Sequence, residues 1–451
     1  MKMKSKVQSF RQLGLVFAGV GLGCLGVAHA EEVPTGYVVT KANLNATDKQ
    51  TFQGHNLGEM ITPVMRKLVE NGLKLKLVPT QPTPLAPKLI AASEKYSGGV
   101  KYDKATRRIS GYVAGMPFPH MSLSEKDPDI AEKVIWNHFY SYPAYGDNMI
   151  PTTTAYSIDG VRGLERTFEL ANVQIKLKNR TSMEPLPPKA IGDGNVFRKL
   201  LIFNLAPQDV AGTGAYIQRY DDGRVDDSWA YIKAVRRVRR ISGGTWMDPI
   251  PGTDLLNDDS GCLDAFPTWY PKYTFIKKQW VLGVAHGEHR IGKGGATIEA
   301  EVDIKNAPYW NVIQPWEPRE VFVIDAYPPK EHPYSKRRVY YDINANAISM
   351  CDMYDKKGEL WKFSQLPFTS ATTMDGQPVS SVFYDWSVDF QRMHSTYIAF
   401  LYSNVNAPVD PRDWAPETLA NSEKFSATGL KKRYGPSMYD PVNYPVKGSG
   451  K

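Results

Sequence analysis

The chain has 451 residues, with 55 Lys and Arg against 47 Asp and Glu and a formal net charge of +8 at pH 7. Four of the cations lie in the first 30 residues, which contain no acidic residue, so the remainder carries 51 basic against 47 acidic residues. A mild, dispersed positive charge of this kind excludes a protein built mainly to bind nucleic acid.

The first 30 residues have the pattern of a secretory signal peptide. Four basic residues precede an apolar run over 13–27, which ends in the small-residue motif Ala28-His29-Ala30. The run is shorter than the roughly 20 residues that span a bilayer. We therefore expect cleavage after Ala30 and a periplasmic protein. Cys24 offers a lipoprotein signal as the alternative, but Gly21 stands where such signals usually have a bulky aliphatic residue.

Residues 31–150 are predicted to form an N-terminal helical and extended segment. Residues 59–71 have apolar side chains at helical spacing and are followed by Gly72, which suits a helix C-cap. Residues 73–87 have the pattern of a strand that runs into a proline-rich connector. A second helix is predicted over 127–142, with Asp127 as its N-cap and proline at its first position.

Residues 151–405 show short strands separated by turn residues, which is typical of a large antiparallel meander. The 25 Tyr, 10 Trp, 36 Gly and 33 Pro of the chain favour such a fold, because aromatic residues suit pleated surfaces and Gly and Pro suit turns. Residues 406–451 form a Pro-rich C-terminal extension with a short helix predicted at 416–424. The predicted strands are 153–158, 167–178, 198–204, 214–220, 228–232, 236–242, 273–282, 297–304, 319–327, 336–343, 348–354, 359–366, 381–390 and 396–402.

The segment YIKAVRRVRRISGG, residues 231–244, is unusually rich in arginine. On a helix its arginines would form a basic face suited to an anionic membrane surface. The residues before it favour a strand, a brief turn and a second strand instead. A guanidinium that faces the interior of a sheet needs a fixed anion, so we expect at least one arginine to pair with an acid of the following segment. The arginines are Arg236, Arg237, Arg239 and Arg240, and the acids are Asp248, Asp254, Asp258 and Asp259.

Motifs for catalysis or metal binding are weak. His286, Glu288 and His289 lie close together, but zinc proteases need histidines at i and i+4 on a helix, so a metal-dependent hydrolase is a minor alternative. The acidic segment 221–227 is better explained as a hairpin turn than as a calcium loop. The chain has no G-x-S-x-G elbow and no P-loop. We therefore predict a protein that is not an enzyme and that needs neither metal nor cofactor.

Two cysteines remain beyond the signal segment, Cys262 and Cys351. An oxidising compartment permits a disulfide between them, but sequence separation does not show whether they are close enough to form one.

The stretch 229–259 has an aromatic strand, a basic strand, Gly-Thr-Asp and then acids. The stretch 334–362 ends in YDKKGELWK, and YVAGMPFP at 112–119 is followed by DPDIAEKVIWN at 127–137. Together these three stretches resemble a family of exported Gram-negative proteins, a domain-of-unknown-function group related to the lipoprotein-sorting proteins LolA and LolB. One departure is Lys233, where the family usually has proline.

This resemblance implies a curved, unclosed antiparallel half-barrel with a few helices packed on its concave face. The space between sheet and helices would hold an acyl chain or another apolar ligand. The family's setting implies an outer-membrane protein and an inner-membrane exporter as partners. On this basis we expect a periplasmic carrier or chaperone for a lipid-like ligand, with a non-enzymatic adaptor of an export complex as the alternative.

Candidate residues follow from the same stretches. Aromatic residues are expected to line the ligand space: Trp229, Tyr231, Trp246, Tyr340, Tyr354 and Trp361. Structural roles are expected for Arg237, Arg239, Asp254, Asp258 and Gly358. Gly358 should adopt a positive φ in a hairpin turn that is completed by a G1 bulge.

Overall fold

The computed structural model of the protein describes residues 30–141, 146–233, 236–241, 244–288, 298–410, 414–425 and 427–435. The helices are α1 Leu57–Met60, α2 Pro63–Glu70, α3 Pro87–Tyr96, α4 Ile130–Ser141 and α5 Ala427–Tyr434. The strands are β1 Glu31–Glu32, β2 Val38–Val39, β3 Gln50–Phe52, β4 His55–Asn56, β5 Leu75–Leu77, β6 Lys101–Asp103, β7 Arg108–Ser110, β8 Asn148–Asp159, β9 Gly163–Lys176, β10 Arg198–Ala206, β11 Gly214–Arg219, β12 Asp227–Ile232, β13 Arg237–Ile241, β14 Lys272–Gly283, β15 Val302–Asp303, β16 Asn311–Val312, β17 Pro315–Tyr327, β18 Lys336–Asp342, β19 Ala347–Tyr354, β20 Leu360–Gln365, β21 Phe368–Thr372, β22 Pro378–Val382, β23 Tyr384–Asp389 and β24 His394–Val405.

One 15-stranded sheet organises the molecule. Its order is β13-β12-β11-β10-β9-β8-β24-β23-β20-β19-β18-β17-β5-β2, and β14 also pairs with β17. Neighbouring strands are antiparallel except for the short parallel pairing of β5 with β17. Within the described residues the end strands β13 and β2 do not pair with each other, so the sheet stays open. The predicted fold class, a mainly β protein with a large unclosed antiparallel sheet and few helices, is confirmed.

The N-terminal segment contributes both helices and strands. The helix predicted over 59–71 is interrupted, because Pro63 begins a new helix and the side chain of Thr62 accepts a hydrogen bond from the N–H of Met65 as its N-cap. The predicted C-cap is confirmed, since Gly72 adopts a φ of +93°. The helix predicted from Asp127 begins three residues later, with α4.

Two strand predictions are wrong in detail. The segment 298–304 forms a 3-10 turn and the two-residue strand β15 rather than one long strand. The strand predicted over 381–390 is two strands, β22 and β23, which belong to different sheets. The continuous apolar run concealed the corner between them, since periodicity alone does not locate a break inside a buried run.

The two faces of the sheet are buried against different parts of the chain. On β8–β11, one face carries Val173, Leu201 and Tyr216 and packs under the C-terminal segment around Trp414 and Leu430. We call this the far face. The other face lies against residues 244–271. We call these residues the cap, and this face of the sheet the cap face. Helix α4 packs against β14, β19 and the cap.

The arginine-rich segment is a strand, as predicted, and not a helix. It forms β13, the last strand at one end of the sheet, and its arginines are exposed to solvent. Arg240 pairs with Asp227 on the neighbouring strand. The predicted pairing with the four following acids is wrong, and the structural roles predicted for Arg237 and Arg239 are wrong with it. An edge strand leaves a row of backbone N–H and C=O groups without a strand partner, and charged side chains there discourage another chain from pairing with it.

A capped cavity as the candidate functional site

A cavity of about 90 Å³ lies between the cap and the cap face of the sheet. The strand registers place Leu200 opposite Ile217, and Phe400 opposite Thr153, on the same face. Most of the lining surface is apolar. The apolar side chains include Leu170, Leu200, Ile202, Ile217, Leu255, Ile398 and Phe400. Cavities of this kind in half-open sheets are suited to apolar ligands.

The cap has little regular structure because its sequence is built from turn residues. Short 3-10 turns at Thr245–Met247, Asn257–Cys262 and Pro267–Trp269 are joined by irregular chain. Gly252 and Gly261 have positive φ, at +79° and +64°. The cap contains five Asp and no Lys or Arg. Hydrogen bonds within the cap connect its turns, and its carboxylates also make contacts with the sheet.

The first of these contacts is made by Asp254, which is 2% exposed. Its carboxylate accepts a hydrogen bond from Thr396 Oγ1 at 2.8 Å and lies 2.6 Å from His394 Nδ1. The Lys362 ammonium donates to its backbone carbonyl at 2.5 Å. The partners of Asp254 therefore come from β20 and β24 and not from the arginine-rich strand.

The second contact is a fully buried ion pair. Arg337 of β18 has no solvent-exposed side-chain surface and donates to Asp259 Oδ1 at 2.7 Å and to Asp258 Oδ2 at 3.1 Å. Its guanidinium also donates to the backbone carbonyls of Asp258 and Cys262. Tyr270 donates to Asp258 Oδ2 at 2.6 Å. Burial alone would raise the pKa of Asp258, but the charge of Arg337 and the hydrogen bonds around it hold that pKa below its ordinary value.

The third contact lies at the β10–β11 side of the cavity. Asp264 of the cap accepts from Arg198 at 2.6 Å and from Arg219 at 3.1 Å. Arg219 is also paired with Asp226 at 2.6 Å. These arginines project from the sheet onto the cap face. The acidic cap is thus held on a sheet face that supplies buried cations at several points.

Three polar atoms inside the cavity have no hydrogen-bond partner in the described part of the chain. They are Thr153 Oγ1, Asn172 Oδ1 and Asp385 Oδ1. Burial, with a smaller contribution from Asp259, raises the pKa of Asp385 well above its ordinary value. A buried polar group without a partner costs free energy, so these atoms mark a place where a further group can bind.

Ser157, His394 and Asp254 form a chain that resembles a Ser-His-Asp triad. His394 Nε2 lies 3.2 Å from Ser157 Oγ, and its Nδ1 contacts Asp254. However, Nε2 is shared with the Glu165 carboxylate at 3.3 Å, which would repel a developing oxyanion. Ser157 also lies inside a central strand that is paired on both sides. This geometry favours a structural role.

The aromatic residues predicted to line the ligand space are not brought together. Trp246 lies in the cap and lines the cavity. Trp229 and Tyr231 pack on the far face under the C-terminal segment.

The other predicted aromatic residues lie on β18–β20. Tyr340 donates to Asp352 at 2.8 Å, and Trp361 Nε1 donates to Asp389 at 3.0 Å. The Tyr354 ring lies against the Lys336 ammonium. The registers that place these residues depend on long-range strand pairing, which the sequence does not reveal.

The remaining predicted sites are more local. Asp258 has Arg337 as its partner. Gly358 has a φ of +81°, its N–H donates to the carbonyl of Asp355, and the N–H of Asp355 donates to the carbonyl of Glu359, so the turn prediction is confirmed.

The acids of 221–227 are engaged by cations or hydroxyl groups. Asp221 pairs with Lys178, Asp226 with Arg219, and Asp227 with Arg240 and Tyr220. His289 of the histidine-rich motif lies outside the described residues, and His286 contacts Glu317 at 2.6 Å. No group of His, Cys, Asp and Glu with metal-ligand geometry is found among the described residues.

Cys262 of the cap and Cys351 of β19 are both buried and are not joined by a disulfide; the Cys262 thiol donates to the Ser364 carbonyl at 3.9 Å, and the Cys351 thiol donates to Met353 Sδ at 3.3 Å. In the part of the chain that the structure describes, no helix has the length and apolar character needed to cross a bilayer.

Comparison with known proteins identifies similar sequences and structures. The model of the family described as "Protein of unknown function (DUF1329)" matches residues 38–430. No curated protein is significantly similar in sequence.

Several solved structures are similar to the chain. A Vibrio parahaemolyticus structure described as an outer membrane lipoprotein-sorting protein domain is 18% identical, with a TM-score of 0.45, and the match covers 66% of this chain and 99% of that one. A DUF1329 family protein from Desulfovibrio piger is 17% identical, with a TM-score of 0.42 and coverage of 61% and 92%. A LolA superfamily protein from Nitrosomonas europaea is 10% identical, with a TM-score of 0.36 and coverage of 63% and 97%.

Proposed function

Because the chain belongs to the DUF1329 family, as its sequence motifs predicted, and that family has no assigned function, we propose a function from the geometry of the site. We propose that the protein is a carrier or chaperone that binds the apolar chain of a lipid-like ligand between the sheet and the cap. The observation that carries this proposal is the mostly apolar cavity enclosed by a cap with almost no regular structure of its own.

The size of the cavity bears on how a ligand would enter. Ligand pockets usually have volumes of roughly 300–1,000 Å³, and the cavity here is about 90 Å³. A chain of ordinary lipid length would therefore need the cap to move away from the sheet. Ion pairs and hydrogen bonds with the sheet, such as that of Arg337 with Asp259, help to hold the cap in place, and their release would accompany such a movement.

We propose further that the protein works in the periplasm without catalysis. The predicted signal peptide supports export, and the shared Nε2 of His394 and the paired strand around Ser157 argue against a hydrolytic role. An outer-membrane protein and an inner-membrane exporter are the partners that the family resemblance implies. A ligand carried between them would have to be taken up and released, which again requires a movable cap.

The test is uptake of a fluorescent fatty acid by delipidated protein. The proposal expects saturable binding with a stoichiometry near one. Trp246→Ala removes a side chain of the cavity wall and should weaken binding, whereas Trp229→Ala removes the same side chain from the far face and should leave it unchanged. Thermal melts of both variants control for loss of folding. An adaptor with no ligand would show no saturable uptake, and that result would contradict the proposal.

A further inference from the structure

Asp385 is the least expected residue in the cavity wall. It is 5% exposed and lies on β23, directly opposite Ile398 on β24. Its Oδ1 is buried and has no hydrogen-bond partner among the described residues. Of the three buried polar atoms that line this cavity without a partner, it is the one that belongs to an ionisable group.

An ionised carboxylate would be unstable in this position. Burial and the nearby carboxylate of Asp259 raise the pKa of Asp385 well above its ordinary value, which favours the protonated acid. A protonated carboxyl group is a hydrogen-bond donor. The hydroxyl of Thr153, on a strand two positions away in the sheet, is a second donor without a partner. The cavity therefore presents hydrogen-bond donors in an otherwise apolar wall.

We propose that Asp385, as a neutral acid, donates a hydrogen bond to a carbonyl oxygen of the ligand. The ligand class is then an acyl chain with an uncharged carbonyl group, such as an ester, and its chain lies along Ile398 and Phe400. This inference rests on the proposed carrier function and specifies which ligands the carrier accepts. It also explains why a carboxyl group without a partner is placed in an apolar cavity, where it costs stability.

Competition experiments test the class of ligand. Delipidated protein is loaded with a dansyl-labelled undecanoic acid, which is then displaced by methyl dodecanoate or by dodecylamine. The two competitors have similar chains, but only the ester offers a carbonyl acceptor, and the ammonium would be favoured by an ionised carboxylate. The proposal expects the ester to displace the probe at a concentration at least tenfold lower. Equal potency, or preference for the amine, would overturn it.

Substitutions test the residue. Asp385→Leu removes the donor and should weaken binding of the ester by roughly tenfold, while Asp385→Asn retains a donor and should bind within a few-fold of the wild type. Asp352→Asn is a matched control, because Asp352 is also buried with an unpartnered oxygen but lies on the far side of the sheet. Its affinity for the ester should be unchanged.

Thermal stability gives a second readout that separates a ligand role from a structural one. Because Asp385→Leu removes a buried polar group without a partner, its melting temperature should rise while its affinity falls. A fall in both would mean that Asp385 supports the fold, and unchanged affinity would mean that only solvent occupies this part of the cavity; either result overturns the proposal. Failure of the wild type to take up the probe would instead contradict the carrier function itself.

Discussion

Replacing Arg337 should release the cap from the sheet. Arg337 is completely buried and holds two carboxylates that are also buried, those of Asp258 and Asp259. Arg337→Leu keeps most of the side-chain volume but leaves both carboxylates in the interior without their cation. Breaking a buried pair in this way costs about 3–5 kcal/mol. We therefore expect a loss of that size in the free energy of unfolding.

Arg240→Leu is the matched control, because it removes the same chemical group from an ion pair at the surface. The Arg240 side chain is 67% exposed, and its partner is Asp227. Exposed ion pairs contribute about 0–1 kcal/mol. Urea denaturation of both variants and the wild type, followed by tryptophan fluorescence, measures the difference. Equal effects, or a cost below about 1 kcal/mol for Arg337→Leu, would refute the argument that buried charge fixes the cap.

The pH dependence of Arg337→Leu provides a further check. The pKa of Asp258 is held below its ordinary value in the folded protein. The contribution of Asp258 to stability is therefore present above its unfolded-state pKa of about 4 and is lost as the pH falls through its folded-state pKa. The difference in free energy of unfolding between wild type and Arg337→Leu should narrow as the pH is lowered. Chymotrypsin should also cleave the aromatic-rich cap faster in the variant, and unchanged cleavage would show that Arg337 does not hold the cap.

Three other predictions follow from local geometry. Gly358→Val should lower the free energy of unfolding by more than about 1 kcal/mol, because valine is strained at a φ of +81° even though no atom crowds the position. Gly358→Asn should be better tolerated. Equal melting temperatures for the two variants would contradict the turn assignment. The hydrogen bond to Asp254 raises the pKa of His394 in the folded protein. The stabilisation by protonated His394 is therefore full below about pH 6.5 and is lost as the pH rises through the folded-state pKa. The difference in free energy of unfolding between wild type and His394→Gln should shrink over that range, and a constant difference would contradict the prediction. A mild oxidant should join Cys262 to Cys351 in a disulfide, which intact-mass measurement detects as the loss of two hydrogen atoms. The disulfide would fix the cap to β19 and should slow the uptake of a fatty acid. Fast uptake by the oxidised protein would show that the cap need not move.

The general fold could be predicted from the sequence because its signals are local. Alternating residues, turn motifs and aromatic content depend only on near neighbours along the chain, and Gly358 is an example in which a turn residue specified its own backbone conformation. Helical periodicity alone does not show where a proline interrupts a helix. Pro63 interrupts a stretch with good helical periodicity, because its ring cannot continue a helix from the preceding turn.

The site was harder to predict, because it depends on which strands become neighbours. A buried guanidinium does have a fixed anion in this protein, but the strand that carries it is β18 and not β13. In RRVRR the arginines lie on an edge strand in water, while in KRRVYYD the buried Arg337 pairs with the very acids that were expected to serve the first motif. Burial of a given arginine follows from the position of its strand in the sheet, and the sequence does not state that position.

The same limitation applies to the cavity. Asp385 lies in a run of apolar and aromatic residues, and the sequence signal available was a lone charged residue in a buried strand. Its alternation with Tyr384 and Trp386 indicates a side chain that faces the other side of the sheet from its aromatic neighbours. The cavity into which it faces is formed by the cap, a separate part of the chain that reaches it only in the folded protein.

Native mass spectrometry of the protein purified from its own periplasm tests the central claim most directly. The account predicts a chain that begins at Glu31 and carries one bound acyl compound, which is released on collisional activation and is bound to a smaller fraction of the Asp385→Leu variant. Wild-type protein that has the mass of the polypeptide alone, with no bound compound, would contradict the carrier function.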